Sequence, residues 1–128
     1  MSFISMGSAD PGHVGTKAAN LARLASLPGV HVPPHFAVAA GAFAAVAASS
    51  APLIRSLAGE SADSPRIAEL AAAVQDRIQA AELPQGLRAD IIGAYQALSR
   101  CYGEEDSPVS VRSSATAEDG VRACYAGQ

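Results

Sequence analysis

Lys17, Arg112, Ser113, Ser114 and Thr116 are the residues of this chain whose types and spacing suit a definite chemistry, the holding of an anion. Four of them lie in one stretch, VSVRSSATAED followed by GVRACYAGQ, from Val109 to Gln128. Arg112 supplies a planar guanidinium that grips oxyanions with two parallel bonds. Ser113, Ser114 and Thr116 add three hydroxyls, and small neighbours let backbone N–H groups come close. Lys17 is the only lysine among nine basic residues. Composition alone favours a plainer reading of the C-terminal stretch, a surface hairpin whose serines cap turns.

The elements that must position these groups follow from the pattern. Val109 and Val111 alternate with Ser110 and read as a strand ending at Arg112. Glu118, Asp119 and Gly120 make a turn, and a second strand, Ala123 to Ala126, returns to Gly127 and Gln128. Lys17 falls in the first turn of a helix that starts at Thr16. Ala18, Leu21, Ala22, Leu24 and Ala25 form its apolar face, and Pro28 and Gly29 end it. A lysine there opposes the helix dipole, a cost that makes sense if an anion sits between it and the helix N-terminus. A solvated surface lysine is the alternative.

Before this helix, Phe3 to Met6 reads as a short strand and Gly7 to Gly15 as a loop. After it, Val30 to Ala39 is extended around Pro33 and Pro34. Gly41 to Ser49 is a short helix followed by a loop or helical turn around Pro52. Ser64 and Pro65 are expected as N-cap and first helical position of the next helix. Its Ile67, Leu70, Val74, Ile78 and Ala81 share a face. Pro84 opens another helix, with Leu87, Ile91, Tyr95, Leu98 and Tyr102 on one side. Two amphipathic helices in tandem predict a helical hairpin. Gly103 to Ser107 is an acidic loop leading to Val109.

Composition sets limits on function. The chain has 128 residues, enough for one domain with a core, and a net charge of -3 provides no basic field for nucleic acid. With three Phe, three Tyr and no Trp, a stacking platform for bases is disfavoured as well. Cys101 and Cys124 show no metal-ligand spacing, and His31 and His35 have no partner at ligand spacing. The N-terminus lacks the basic segment and apolar run of a signal peptide. The apolar run from Phe36 to Ala48 is interrupted by Gly41 and is too short to span a bilayer. These features predict a soluble, cytoplasmic protein that contacts neither membrane nor nucleic acid.

Four stretches, in this order, resemble the N-terminal nucleotide-binding region of phosphoenolpyruvate synthase, pyruvate phosphate dikinase and rifampin phosphotransferase. They are VGTKAANLARL (Val14 to Leu24), GVHVPPHFAV (Gly29 to Val38), DIIGAYQAL (Asp90 to Leu98), and VSVRSSATAED with CYAGQ. The RSSATAED string is the most specific of them, and the resemblance reverses the preference for a plain surface hairpin. It implies an α+β fold, the N-terminal subdomain of an ATP-grasp domain. That subdomain would comprise a helical hairpin packed with short strands and a C-terminal β-hairpin, with residues 1–128 forming a single domain.

The resemblance also implies ATP with Mg2+ as cofactors. Lys17, Arg112, Ser113, Ser114, Thr116, Gly127 and Gln128 would be the nucleotide-binding residues, with the loop Gly120 to Gln128 folding over the phosphates. In such enzymes a phosphoryl group passes from ATP to a histidine on a separate swivelling domain, and from there to pyruvate or another acceptor. No catalytic residue can be carried over, because His13, His31 and His35 match no phosphohistidine motif. The second half of the ATP-grasp fold, with the adenine pocket and the acidic magnesium ligands, is absent from these 128 residues.

The chain also departs from the family pattern. Thr16 replaces a glycine before the lysine, His35 stands where a glycine usually follows the proline pair, and Arg122 replaces an acid in the last loop. The last strand stops at Gln128 without a turn, which leads us to expect continuation by more polypeptide or by a second chain. Two alternatives stay open from sequence. One is a stand-alone, repurposed binding protein or biosynthetic enzyme for another anionic small molecule, which has lost phosphotransfer. The other is a structural partner that pairs its last strand with another subunit.

Overall fold

The computed structural model describes residues 3–116. The expected turn Glu118 to Gly120, the strand Ala123 to Ala126, and Arg122, Cys124, Gly127 and Gln128 lie outside the described residues. The elements are β1 (Ile4–Ser5), α1 (Pro11–Val14), α2 (Thr16–Ala25), β2 (Ala37–Val38), α3 (Ala40–Ala47), a 3₁₀ turn (Ala48–Ser50), α4 (Ala51–Ala58), α5 (Ile67–Gln79) and α6 (Gln85–Cys101). The fold is mixed: mostly helix, with one small antiparallel sheet in which Ile4 pairs with Val38 and Ser5 with Ala37.

The chain divides into two compact units. The first takes the residues up to Ala42 and those from Gln85 onward, and the second is Phe43–Pro84. In the first, α6 lies against β1, and the Phe3 N–H donates to Asp90 Oδ2 at 3.4 Å. Leu87 and Leu98 of α6 are buried, as are Val14, Ala19, Ala39 and Ala42. Ile91 and Tyr95 on the same face are half-buried, whereas Tyr102 lies past the helix end and is 51% exposed.

In the second unit α5 packs on α4 and on the 3₁₀ turn. The expected face of α5, with Ile67, Leu70, Val74 and Ile78, is the less exposed one, yet none of these residues is fully buried. Only Ala47 and Ser50 are buried among the unit's described residues, and the Ser50 hydroxyl has no hydrogen-bond partner there.

Several expectations need correction. The predicted helical hairpin does not form a unit, since α5 and α6 belong to different compact units. Each has an apolar face, but that of α5 is met by α4 and that of α6 by β1. The loop Gly7 to Gly15 contains a helix, α1. Asp10 caps it by accepting from the Gly12 N–H at 2.9 Å, and Pro11 occupies its first turn. Helix α5 begins at Ile67, later than Ser64 and Pro65 suggest. The Ser64 carbonyl accepts from the Ile67 N–H and its hydroxyl donates to Glu60 Oε2, so a separate turn precedes the helix.

Val109–Val111 forms no strand among the described residues. Val111 is 93% exposed, and an extended segment counts as sheet only where a second strand meets it. The apolar helical run is also longer than Phe36 to Ala48, because Pro52 sits in the first turn of α4, where proline is tolerated. Ala40–Ala58 covers 19 residues at a mean hydropathy of 1.3, enough by length and composition to cross a membrane, although helices of soluble proteins meet the same measure.

Candidate functional site

Lys17 is the second residue of α2, and the start of that helix is built in an unusual way. Gly15, in the N-cap position, has no side chain to cap the helix, and its backbone sits at φ 79°, ψ 163°. That region is essentially restricted to glycine. The cap comes from a remote part of the chain. The Ser114 hydroxyl accepts from the Ala18 N–H at 3.1 Å and donates to the Val14 carbonyl at 2.8 Å. The Ala115 carbonyl accepts from the Thr16 N–H at 3.1 Å. These bonds satisfy two of the amides that a helix leaves unpaired at its N-terminus.

The approach is close enough to dictate the residue at position 15. A Cβ there would overlap the Ser114 backbone carbonyl, so glycine is required both for its conformation and for the space. The glycine before the lysine was part of the sequence pattern, but its role as the seat for Ser114 was not legible there.

Docking of residues 114 and 115 brings the segment that bears Arg112 to the start of the helix that bears Lys17. Arg112 is two residues before Ser114, so its backbone lies within about 7 Å of it along the chain. Lys17 lies between Thr16 and Ala18, whose amides are bound by the docked segment. Arg112, Ser113 and Thr116 are exposed, whereas Lys17 and Ser114 are half-buried. Ser114 thus spends its hydroxyl on the chain itself. Gly127 and Gln128 lie outside the described residues.

Beside the docked segment, the depression between Ser5, Ser8, Val14, Ala18 and His35 measures about 160 Å³ including space open to solvent. That is well below the volume of an ordinary small-molecule pocket. His35 Nδ1 is 3.0 Å from the Pro33 carbonyl. Among the described residues no three His, Cys, Asp or Glu side chains come together as a metal site.

Sequence reasoning missed the far anchor of this segment. The Tyr95 hydroxyl donates to Asp106 and lies 2.8 Å from the Ser107 carbonyl, and the Ser107 N–H donates to Ser99 Oγ at 3.2 Å. The hydrogen bond to Asp106, with a lesser contribution from desolvation, raises the Tyr95 phenol above its ordinary 10.0. Helical periodicity marks Tyr95 as a core-side residue and says nothing about where its hydroxyl reaches.

Comparison with known proteins decides the kinship. Residues 12–128 match the family described as pyruvate phosphate dikinase, AMP/ATP-binding domain. This chain belongs to that family. A probable phosphoenolpyruvate synthase from Methanothermobacter thermautotrophicus is 34% identical over 98% of this chain and 19% of its own length. Another from Methanocaldococcus jannaschii is 34% identical over the whole chain and 11% of its own length. A rifampicin phosphotransferase from Streptomyces is 39% identical over 90% of the chain and 13% of its own length.

The chain therefore spans between about a tenth and a fifth of these relatives. No solved structure matches it. Within the pyruvate phosphate dikinase family, the chain corresponds to the AMP/ATP-binding region, and the corner between Gly15 and Thr116 lies inside the matched residues.

Proposed function

We propose that this chain is the phosphate-binding part of the ATP site in a dikinase-type phosphotransferase of the phosphoenolpyruvate synthase kind. Lys17 and Arg112 contact the phosphates, assisted by Ser113, Thr116, Gly127 and Gln128. The observation that carries this reading is the docking of Ser114 and Ala115 on the start of α2, which ties the Arg112 segment to the helix that bears Lys17. Phosphoryl transfer places diffuse negative charge on equatorial oxygens, and a protein meets it with preorganised cations and donors. In this reading Lys17 and Arg112 provide that field.

Ser114 belongs to the site as the residue that fixes the corner. The Thr16 and Ala18 amides are bound by the chain, so anion binding here draws on the side-chain cations and on the loop beyond Thr116. Mg2+ accompanies ATP in this reading, but the described residues do not fit it, since they assemble no acidic cluster. Its ligands, the adenine pocket and the phosphoryl acceptor come from the rest of the fold, in the same polypeptide or a second chain. We place the protein in the cytoplasm as a soluble domain.

Calorimetric titration with ATP and magnesium, beside Lys17→Ala and Arg112→Ala, tests the reading. Each substitution removes a charged hydrogen-bond donor to phosphate and should weaken binding by about ten- to a hundred-fold. ATP binding that both substitutions leave unchanged would overturn the assignment.

A further inference from the structure

The segment bearing Arg112 is fastened at two places that are remote from each other along it. At one end Ser114 and Ala115 are bonded to Thr16, Ala18 and Val14 at the start of α2. At the other, Asp106 and Ser107 are bonded to α6 through Tyr95 and Ser99, and the Glu104 N–H donates to the Ser99 carbonyl at 3.1 Å. Ser99 is completely buried and Ser107 nearly so, whereas every residue from Pro108 to Ser113 is exposed. Among the described residues, no hydrogen bond or buried side chain holds that stretch between its two ends.

A short exposed span fastened at both ends behaves as a strap. Its middle is positioned by its ends, because freeing one end lengthens the loop and adds conformations that docking at the other must remove. We propose that Tyr95 is a positioning residue for the anion-binding corner: its hydroxyl holds Asp106 and Ser107 on α6, and this sets the reach of Arg112 and the docking of Ser114 on α2. The proposal rests on the functional reading above for what Arg112 contacts. The mechanical coupling from Tyr95 to α2 stands on the hydrogen bonds alone.

Amide hydrogen exchange on the full chain tests the coupling without any nucleotide. In Tyr95→Phe, which keeps the ring and removes only the hydroxyl, exchange at Thr16 and Ala18 should quicken by about three- to ten-fold. Amides inside α6 should keep their protection, which shows that the helix itself is intact. Asp106→Asn retains an acceptor opposite the phenol and should leave Thr16 and Ala18 close to the parent rates.

If Tyr95→Phe quickens exchange only at residues 104–107 and leaves Thr16 and Ala18 unchanged, Tyr95 is a local tie and the proposal is wrong. The same holds if Asp106→Asn loosens α2 as much as Tyr95→Phe does. ATP binding left unchanged by Lys17→Ala and Arg112→Ala would sink the functional reading while leaving this coupling intact, so the two outcomes separate.

Discussion

Residues about a hundred positions apart meet in the unit that carries Lys17 and Arg112, whereas Phe43–Pro84 is held by neighbours in sequence. Ser114 reaches Val14 across 100 positions and Ala18 across 96, and Phe3 reaches Asp90 across 87. In the other unit, Ser56 bonds to Pro52 and Ser64 to Glu60, each four positions away, and Arg66 pairs with Glu60 at 3.3 Å. Short-range contacts close small loops at little entropic cost, but here they bury little. Among the described residues, every buried side chain except Ala47 and Ser50 lies in the long-range unit. The comparison teaches that the proposed phosphate site falls where distant segments are locked together, at the junction of Ser114 and Ala115 with the start of α2.

Core truncation should separate the two units most strongly. Leu87→Ala removes a side chain that is 2% exposed and should cost about 2–5 kcal/mol in denaturant melting. The loss should appear as reduced amide protection in α6 and β1. Ile78→Ala, on a half-buried face of α5, should cost clearly less. Equal losses would break the contrast.

Gly15→Ala comes next. The backbone strain alone is about 1–3 kcal/mol, and the new methyl displaces the Ser114 carbonyl in addition. Faster exchange at Thr16 and Ala18 and weaker ATP binding should accompany the destabilisation. One substitution made in both units then sharpens the comparison. Ser114→Ala removes a helix cap supplied from outside the helix and should cost about 1 kcal/mol. Ser64→Ala, which loses a bond to Glu60 beside an exposed Arg66, should cost only a few tenths.

The smallest effect concerns alkaline pH. The Tyr95 phenol is raised above 10.0 chiefly by its bond to Asp106, so the protonated form is favoured in the folded chain. That contribution is fully present below pH 10 and is lost as pH rises through the raised value. Absorbance titration of the chain beside Tyr95→Phe should assign the late-ionising phenol to Tyr95.

Some of this architecture is legible in the residues. Thr16 to Ala25 declares its helix through apolar spacing and the Pro28–Gly29 stop, and α6 follows Pro84 in the same way. Asp10 and Pro11 carried a capping signal for α1 that a glycine-rich context obscured. The assignment of α5 and α6 to separate units was not legible, because an apolar face states that a helix must be covered and not by what. Gly15 and Ser114 could be singled out as motif members, but their mutual fit depends on a contact across nearly the whole chain. Tyr95 looks like any aromatic residue on a buried helix face until its hydroxyl partner is known. The kinship was legible because RSSATAED and VGTKAANLARL preserve both residue type and order.

The central claim is that the nucleotide meets this chain at the junction of α2 and the Arg112 segment. Titration of isotope-labelled protein with ATP and magnesium, followed by backbone amide shifts, tests it most directly and registers weak binding. The account predicts shifts concentrated at residues 14–18 and 112–116, with residues 44–84 unmoved and the response lost in Lys17→Ala. Shifts centred on residues 44–84, or an identical response in Lys17→Ala, would contradict it.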